Sequence, residues 1–171
     1  YLWFKKDNLI YQMEISSDLK KFVTIKTHSN LSTTDKGIGS IQTLNKSVSF
    51  QTNNHFYRYS QDQDLFFEDK KTTNLFKDCP KIYSLRQDSA GNIWYVFKES
   101  IGMLLKTDSG KYKNVIAPFS NFTGNLVANY TSINTIDPRN IFIGLTDGLA
   151  HYNSKLLNNS VDKPAAFIRS F

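Results

Sequence analysis

The chain is poor in the residues that usually announce chemistry. A single cysteine, Cys79, stands among 171 residues, so no intrachain disulfide can form and no zinc site can be built on thiols. No histidine lies close to it in sequence to activate it as a nucleophile. So little cysteine suits a reducing compartment, or a bacterial periplasmic protein stabilised by its fold. The three histidines, His28, His55 and His151, stand apart from one another and read as strand-packing or surface residues. No apolar run approaches the roughly 18 residues of a membrane span. No signal peptide is legible, which says nothing of export, because the chain opens directly on the strand-like Tyr1-Leu2-Trp3-Phe4 and reads as an internal segment. No Gly-rich phosphate cradle occurs. The carboxylates Asp88, Asp108, Asp137 and Asp147 fall in turns, where turn chemistry explains them better than acid–base work. Asp88-Ser89-Ala90-Gly91-Asn92 lacks the further ligands and the distal Glu of a calcium loop. The expectation is a chain with no catalytic residue, no metal site and no cofactor.

Apolar residues make up 40% of the chain and aromatics 14%, which is a folding composition with a sizeable core. The net charge of +6 is scattered in pairs such as Lys5-Lys6, Lys20-Lys21 and Lys70-Lys71 rather than concentrated in tracts. That reads as a solvated lysine surface; an anionic partner such as an acidic glycan or a phosphate is the alternative. No nucleic-acid partner is expected through this region.

The informative feature is a repeat. Leu2 to Tyr11 aligns with Val48 to Tyr57 without a gap at a spacing of 46 residues. A third row runs Ile93-Trp94-Tyr95-Val96-Phe97 and then Ile101-Gly102-Met103-Leu104-Leu105. A fourth runs Ile141-Phe142-Ile143-Gly144-Leu145 and then Asp147-Gly148-Leu149-Ala150-His151-Tyr152. Each row reads as a hairpin whose turn ends on Asn8, Asn54, Gly102 or Gly148, residues that tolerate positive φ. A further strand precedes three rows, at Ile41–Leu44, Ile82–Leu85 and Ile133–Ile136. Another follows three of them, at Phe22–Ile25, Leu65–Phe67 and Tyr112–Ile116, with none evident after Tyr152. Four short strands per period, without helical periodicity, predict an all-β array. The unit fits a β-propeller blade better than a solenoid coil or a tandem of small sandwiches. About three and a half blades are present over residues 1–156, too few for a ring of this kind. An open arc would leave strand edges and apolar faces bare. The remaining blades are therefore expected upstream in the same protein, or from another chain.

The third row resembles the two-component regulator propeller repeat, Asp-x-x-Gly-Asn-Ile/Leu-Trp followed by a Gly-Leu hairpin. Asp88, Gly91, Asn92, Trp94 and Gly102 carry the match, and the fourth row matches in its second half through Gly144 and Gly148. Rows one and two carry Asn for Gly, and row two has Ser49 in the tryptophan place that Trp3 fills in row one. In this repeat Gly91 permits the turn and Trp94 fills space between blades. Residues 157–171 resemble a linker followed by the first strand of a β-sandwich, the triple-tyrosine module, opening near Pro164.

The resemblance implies an extracytoplasmic segment of a Bacteroidetes-type sensor. Such a regulator has a periplasmic location, a membrane anchor, a histidine kinase or helix-turn-helix output, and a homodimeric full-length form. It implies recognition of an oligosaccharide or another polar ligand. A scaffold component of cell-surface secretion machinery is the alternative, and a propeller lyase or glycosidase a third reading. Trp3 and Trp94 occupy equivalent repeat positions and read as core. The candidates for ligand contact are Tyr57, Arg58 and Tyr59, and Phe122 within the loop Phe119–Asn125, although that loop reads first as an interblade loop tucked onto the ring.

Overall fold

A computed structural model of the chain describes residues 1–171 other than 8, 30, 32–38, 54, 80–81, 128–129, 155–167 and 170–171. Among the described residues the fold is all-β with one short α-helix, and the strands form four antiparallel sheets. The chain divides into two compact units, Tyr1–Asp78 and Cys79–Phe171, each holding two sheets.

In the first unit, β1 (Leu2–Lys6), β2 (Leu9–Ile15) and β3 (Phe22–His28) form a three-stranded meander. Strands β4 (Ser40–Leu44), β5 (Ser47–Thr52), β6 (His55–Ser60) and β7 (Leu65–Glu68) form a four-stranded one. The short helix α1 (Lys70–Leu75) follows. Asp69 caps it, accepting from the Thr72 backbone N–H at 3.1 Å, while Arg58 Nε donates to the same carboxylate at 2.8 Å. Alternation decides what each strand buries. Ile10, Phe50 and Leu31 form the core between the two sheets, with Trp3, Tyr57, Tyr59 and Phe66 packed on it. Trp3 meets Phe50 and Tyr59 edge-on at centroid distances of 5.0 and 5.1 Å.

In the second unit, β8 (Ile82–Gln87), β9 (Ile93–Phe97), β10 (Ser100–Lys106) and β11 (Tyr112–Val115) form one meander. Strands β12 (Ile133–Asp137), β13 (Asn140–Leu145), β14 (Gly148–Asn153) and β15 (Ile168–Arg169) form the other. Trp94, Val96, Ile101 and Met103 from the first sheet pack against Ile133, Ile141, Ile143 and Ala150 of the second. Phe119 and Phe122 from a 3-10 helix, Ala117–Phe122, join them. Trp94 touches Phe119 and Tyr152 edge-on, at 5.5 and 5.0 Å. Trp3 and Trp94 thus hold the same place, each between its own sheet and the one that follows within its unit.

The turn ahead of Trp94 is a closed hydrogen-bond system. Asp88, almost wholly buried, accepts from the Asn92 backbone N–H at 2.9 Å, from Asn92 Nδ2 at 2.9 Å and from Trp94 Nε1 at 3.1 Å. Asn92 Oδ1 in turn accepts from the Lys106 backbone N–H on β10 at 2.9 Å. Gly91 sits at φ 88°, which a side chain would strain. The fourth sheet repeats the device although its turn has lost the glycine: Asn140 Nδ2 and the Arg139 N–H both donate to Asp137 at 2.9 Å.

Two glycines differ from their expected place. The β9–β10 loop is Lys98-Glu99, with Phe97 opposite Ser100 and Lys98 at φ 51°. Gly102 lies inside β10, opposite Tyr95, and a Cβ there would be driven into the Tyr95 ring. It is glycine to admit that ring, not to make a turn. Gly148 is the first residue of β14, and the loop before it is Thr146-Asp147. Asn8 and Asn54 lie outside the described residues, but their neighbours Asp7 (φ 53°) and Asn53 (φ 50°) have the left-handed conformation expected of a two-residue hairpin turn. Ile168–Arg169, expected from the sequence to belong to the opening strand of a following module, pairs with Leu149 and Ala150 and takes the fourth place in the last sheet. The expected linker, including Pro164, lies outside the described residues.

Candidate functional site

The four sequence candidates have different fates. Phe122 is buried in the core of the second unit and offers no face to a ligand. Arg58 is committed to Asp69 at 2.8 Å, bracing the start of α1. Tyr57 packs on the core of the first unit. Of the four, Tyr59 is the one that lines a cleft. Its ring lies among Trp3, His28 and Phe66, and its hydroxyl donates to Asp64.

The cleft, of about 260 Å³, lies in the first unit and is lined by Tyr1, Gln12, Glu14, Thr24, Lys26, Tyr59 and Gln61. Strand register explains it. Cross-strand partners share a face, so one face of the first sheet carries three rows. Lys5, Ile10 and His28 form the first, Trp3, Gln12 and Lys26 the second, and Glu14 with Thr24 the third. Tyr1 extends the third row by alternation along β1. The first row is partly sealed into the core by Ile10. The later rows turn polar, and there the core opens into the cleft. Gln61, just past β6, closes the opposite wall with Tyr59.

The electrostatics are local. Lys26 Nζ pairs with Asp64, which also receives the Tyr59 hydroxyl. The Lys26 bond, with help from Tyr59, holds the Asp64 carboxyl below its usual range, and Asp64 in turn raises Lys26. His28, buried beneath them, shares a 3.1 Å hydrogen bond with Gln12 Oε1. Burial, and then the Lys26 charge, push its pKa down, so the ring is neutral at pH 7 and its Nε2–H donates to Gln12. Glu14 is half-buried, and no hydrogen bond or ion pair joins its side chain to another described residue. Glu14, Gln12, Thr24, Lys26 and Gln61 carried no motif. The available signal was the alternation of β2, which sets Gln12 and Glu14 on the face that begins with the core residue Ile10. Among the described residues no group of three His, Cys, Asp or Glu side chains is placed to hold a metal. No helix among them is long and apolar enough to cross a membrane.

The sequence matches no family model and no curated protein. Among solved structures it is similar to the extracellular domain assigned to a one-component system of B. thetaiotaomicron, at 13% identity and a TM-score of 0.47. The alignment takes in 98% of this chain and 23% of that one, so this chain spans under a quarter of that protein's length.

Proposed function

We propose that the four sheets are consecutive blades of a β-propeller, and that this propeller is part of an extracytoplasmic sensor that recognises a small polar ligand. The observation that carries the reading is the turn from Asp88 to Trp94. Its residues are those of the regulator-type repeat, and each does something physical in the fold. Asp88 binds Asn92 and the Trp94 indole, Asn92 anchors β10, and Trp94 fills the space toward the next sheet. The meander order of every sheet and the matching places of Trp3 and Trp94 support the same reading. So does the outer face of the first sheet, where Leu2, Phe4, Val23 and Ile25 are each 40% exposed or more, as a blade face without its neighbour would be.

The cleft beside Tyr59 is the natural recognition surface. At about 260 Å³ it is smaller than the ~300 Å³ at which clefts for drug-sized ligands begin, and it suits one sugar-sized ring. Calorimetry of the complete extracytoplasmic region against a panel of oligosaccharides and other small polar solutes tests the sensor reading. Saturable binding by one chemical class is expected. Uniform silence, together with a full-length gene that ends in a sorting domain rather than a kinase or DNA-binding output, would favour the scaffold reading instead.

A further inference from the structure

We infer that the cleft of the first unit selects a polyhydroxylated primary amine, with Glu14 receiving the ammonium group. The inference rests on the recognition role proposed for this cleft and adds the charge of what it takes. Three charged side chains line or border the cavity, Lys26, Asp64 and Glu14. Lys26 and Asp64 neutralise each other, and Asp64 is further occupied by the Tyr59 hydroxyl. His28, below, is held neutral by burial and by Lys26. That leaves one uncompensated side chain, the Glu14 carboxylate, which is half-buried and makes no hydrogen bond or ion pair to another described residue.

A carboxylate so placed favours a ligand that brings both a positive charge and N–H donors, since charge-assisted hydrogen bonds are about twice as strong as neutral ones. The nearby rings of Tyr1 and Tyr59 suit the same ligand, because aromatic faces attract cations. The rest of the lining is neutral and hydrogen-bonding: the side chains of Thr24 and Gln61 are exposed and make no hydrogen bond to another described residue. They suit hydroxyl groups. The net charge of the chain is +6, yet at physiological salt a charge is screened beyond ~8 Å, so the adjacent carboxylate dominates a bound ammonium.

The test is a cycle of two ligands and two proteins by isothermal calorimetry at pH 7. Glucosamine and glucose differ by an ammonium in place of one hydroxyl, and each is titrated into the complete extracytoplasmic region as wild type and as Glu14→Gln. Near-ultraviolet circular dichroism establishes that the variant keeps the wild-type fold. The expected result is glucosamine binding about tenfold tighter than glucose to the wild type, with that preference lost in Glu14→Gln. Equal affinities for both sugars in the wild type would overturn the amine assignment and leave the polar-ligand reading standing. A preference that survives in Glu14→Gln would overturn Glu14 as the group that receives the ammonium. Silence with both sugars would overturn the assignment to this cleft, and the panel on the complete region would then decide the sensor reading independently.

Discussion

Replacing Asp88 by alanine should cost the second unit about 3–5 kcal/mol. The carboxylate accepts three hydrogen bonds, from the Asn92 backbone N–H, Asn92 Nδ2 and Trp94 Nε1, at 2.9, 2.9 and 3.1 Å. Bonds to a charged group contribute about 1.5–3 kcal/mol each, but three on one carboxylate are not additive. The largest single loss is at Trp94, which is fully buried. Its indole N–H would be left without a partner, at about 1–3 kcal/mol. Asn92 is half-buried and can recover part of its bonding from water. Asp88→Asn is not conservative here. Both oxygens accept, so the amide NH₂ must face a donor wherever it points, and a loss of about 1–3 kcal/mol is expected. Urea unfolding followed by tryptophan fluorescence measures both variants. Trp3 and Trp94 are the only tryptophans, so a Trp3→Phe background makes Trp94 the sole reporter and follows its own unit. Losses below about 1 kcal/mol for both variants would refute the view that this carboxylate holds the turn and the indole together.

Gly102→Ala should destabilise by about 1–3 kcal/mol or more, because the new Cβ displaces the Tyr95 ring and strains its 2.6 Å bond to Asn114; combining it with Tyr95→Leu should cost less than the sum of the two, by thermal melting. Asp69→Ala should cost about 1–3 kcal/mol in urea unfolding, since it removes both the cap of α1 and the partner of Arg58. The Asp137 carboxyl should titrate near pH 2 by carboxyl NMR, lowered first by the Asn140 side chain and then by the Arg139 backbone N–H. Its folded pKa lies below the unfolded 3.8, so its stabilisation is present above about pH 3.8 and lost as pH falls toward 2; Asp137→Asn should flatten the stability–pH profile in that window.

Strands were legible because their signals are local. Alternation and turn residues put strands at Ile41–Leu44, Leu65–Phe67 and Ile133–Ile136, and β4, β7 and β12 contain or overlap each of them. The hairpin glycines misled because a loop can be closed by a residue with no turn preference. Lys98 takes φ 51° in the β9–β10 loop, and Gly102 answers instead to a ring on the neighbouring strand. The apolar side chains of Phe119–Asn125 read as an interblade loop tucked onto its neighbours, and the packing of Phe119 and Phe122 in the core of the second unit agrees with that reading rather than with ligand contact at Phe122. The short α1 escaped periodicity, and only the Asp69 cap marked it.

Repeat length, strand content and the residues of the Asp88 turn were determined by the sequence alone, since each depends on neighbours a few positions away. Which residues are free to meet a ligand was decided only by tertiary structure. Tyr57, Arg58 and Tyr59 are consecutive, yet one packs on the core, one braces a helix and one borders the cleft. Glu14 stands out only once register places it beyond the last apolar row, while Asp64 claims the charge of Lys26. Availability is a property of what surrounds a side chain, and those surroundings come from segments far apart in the chain.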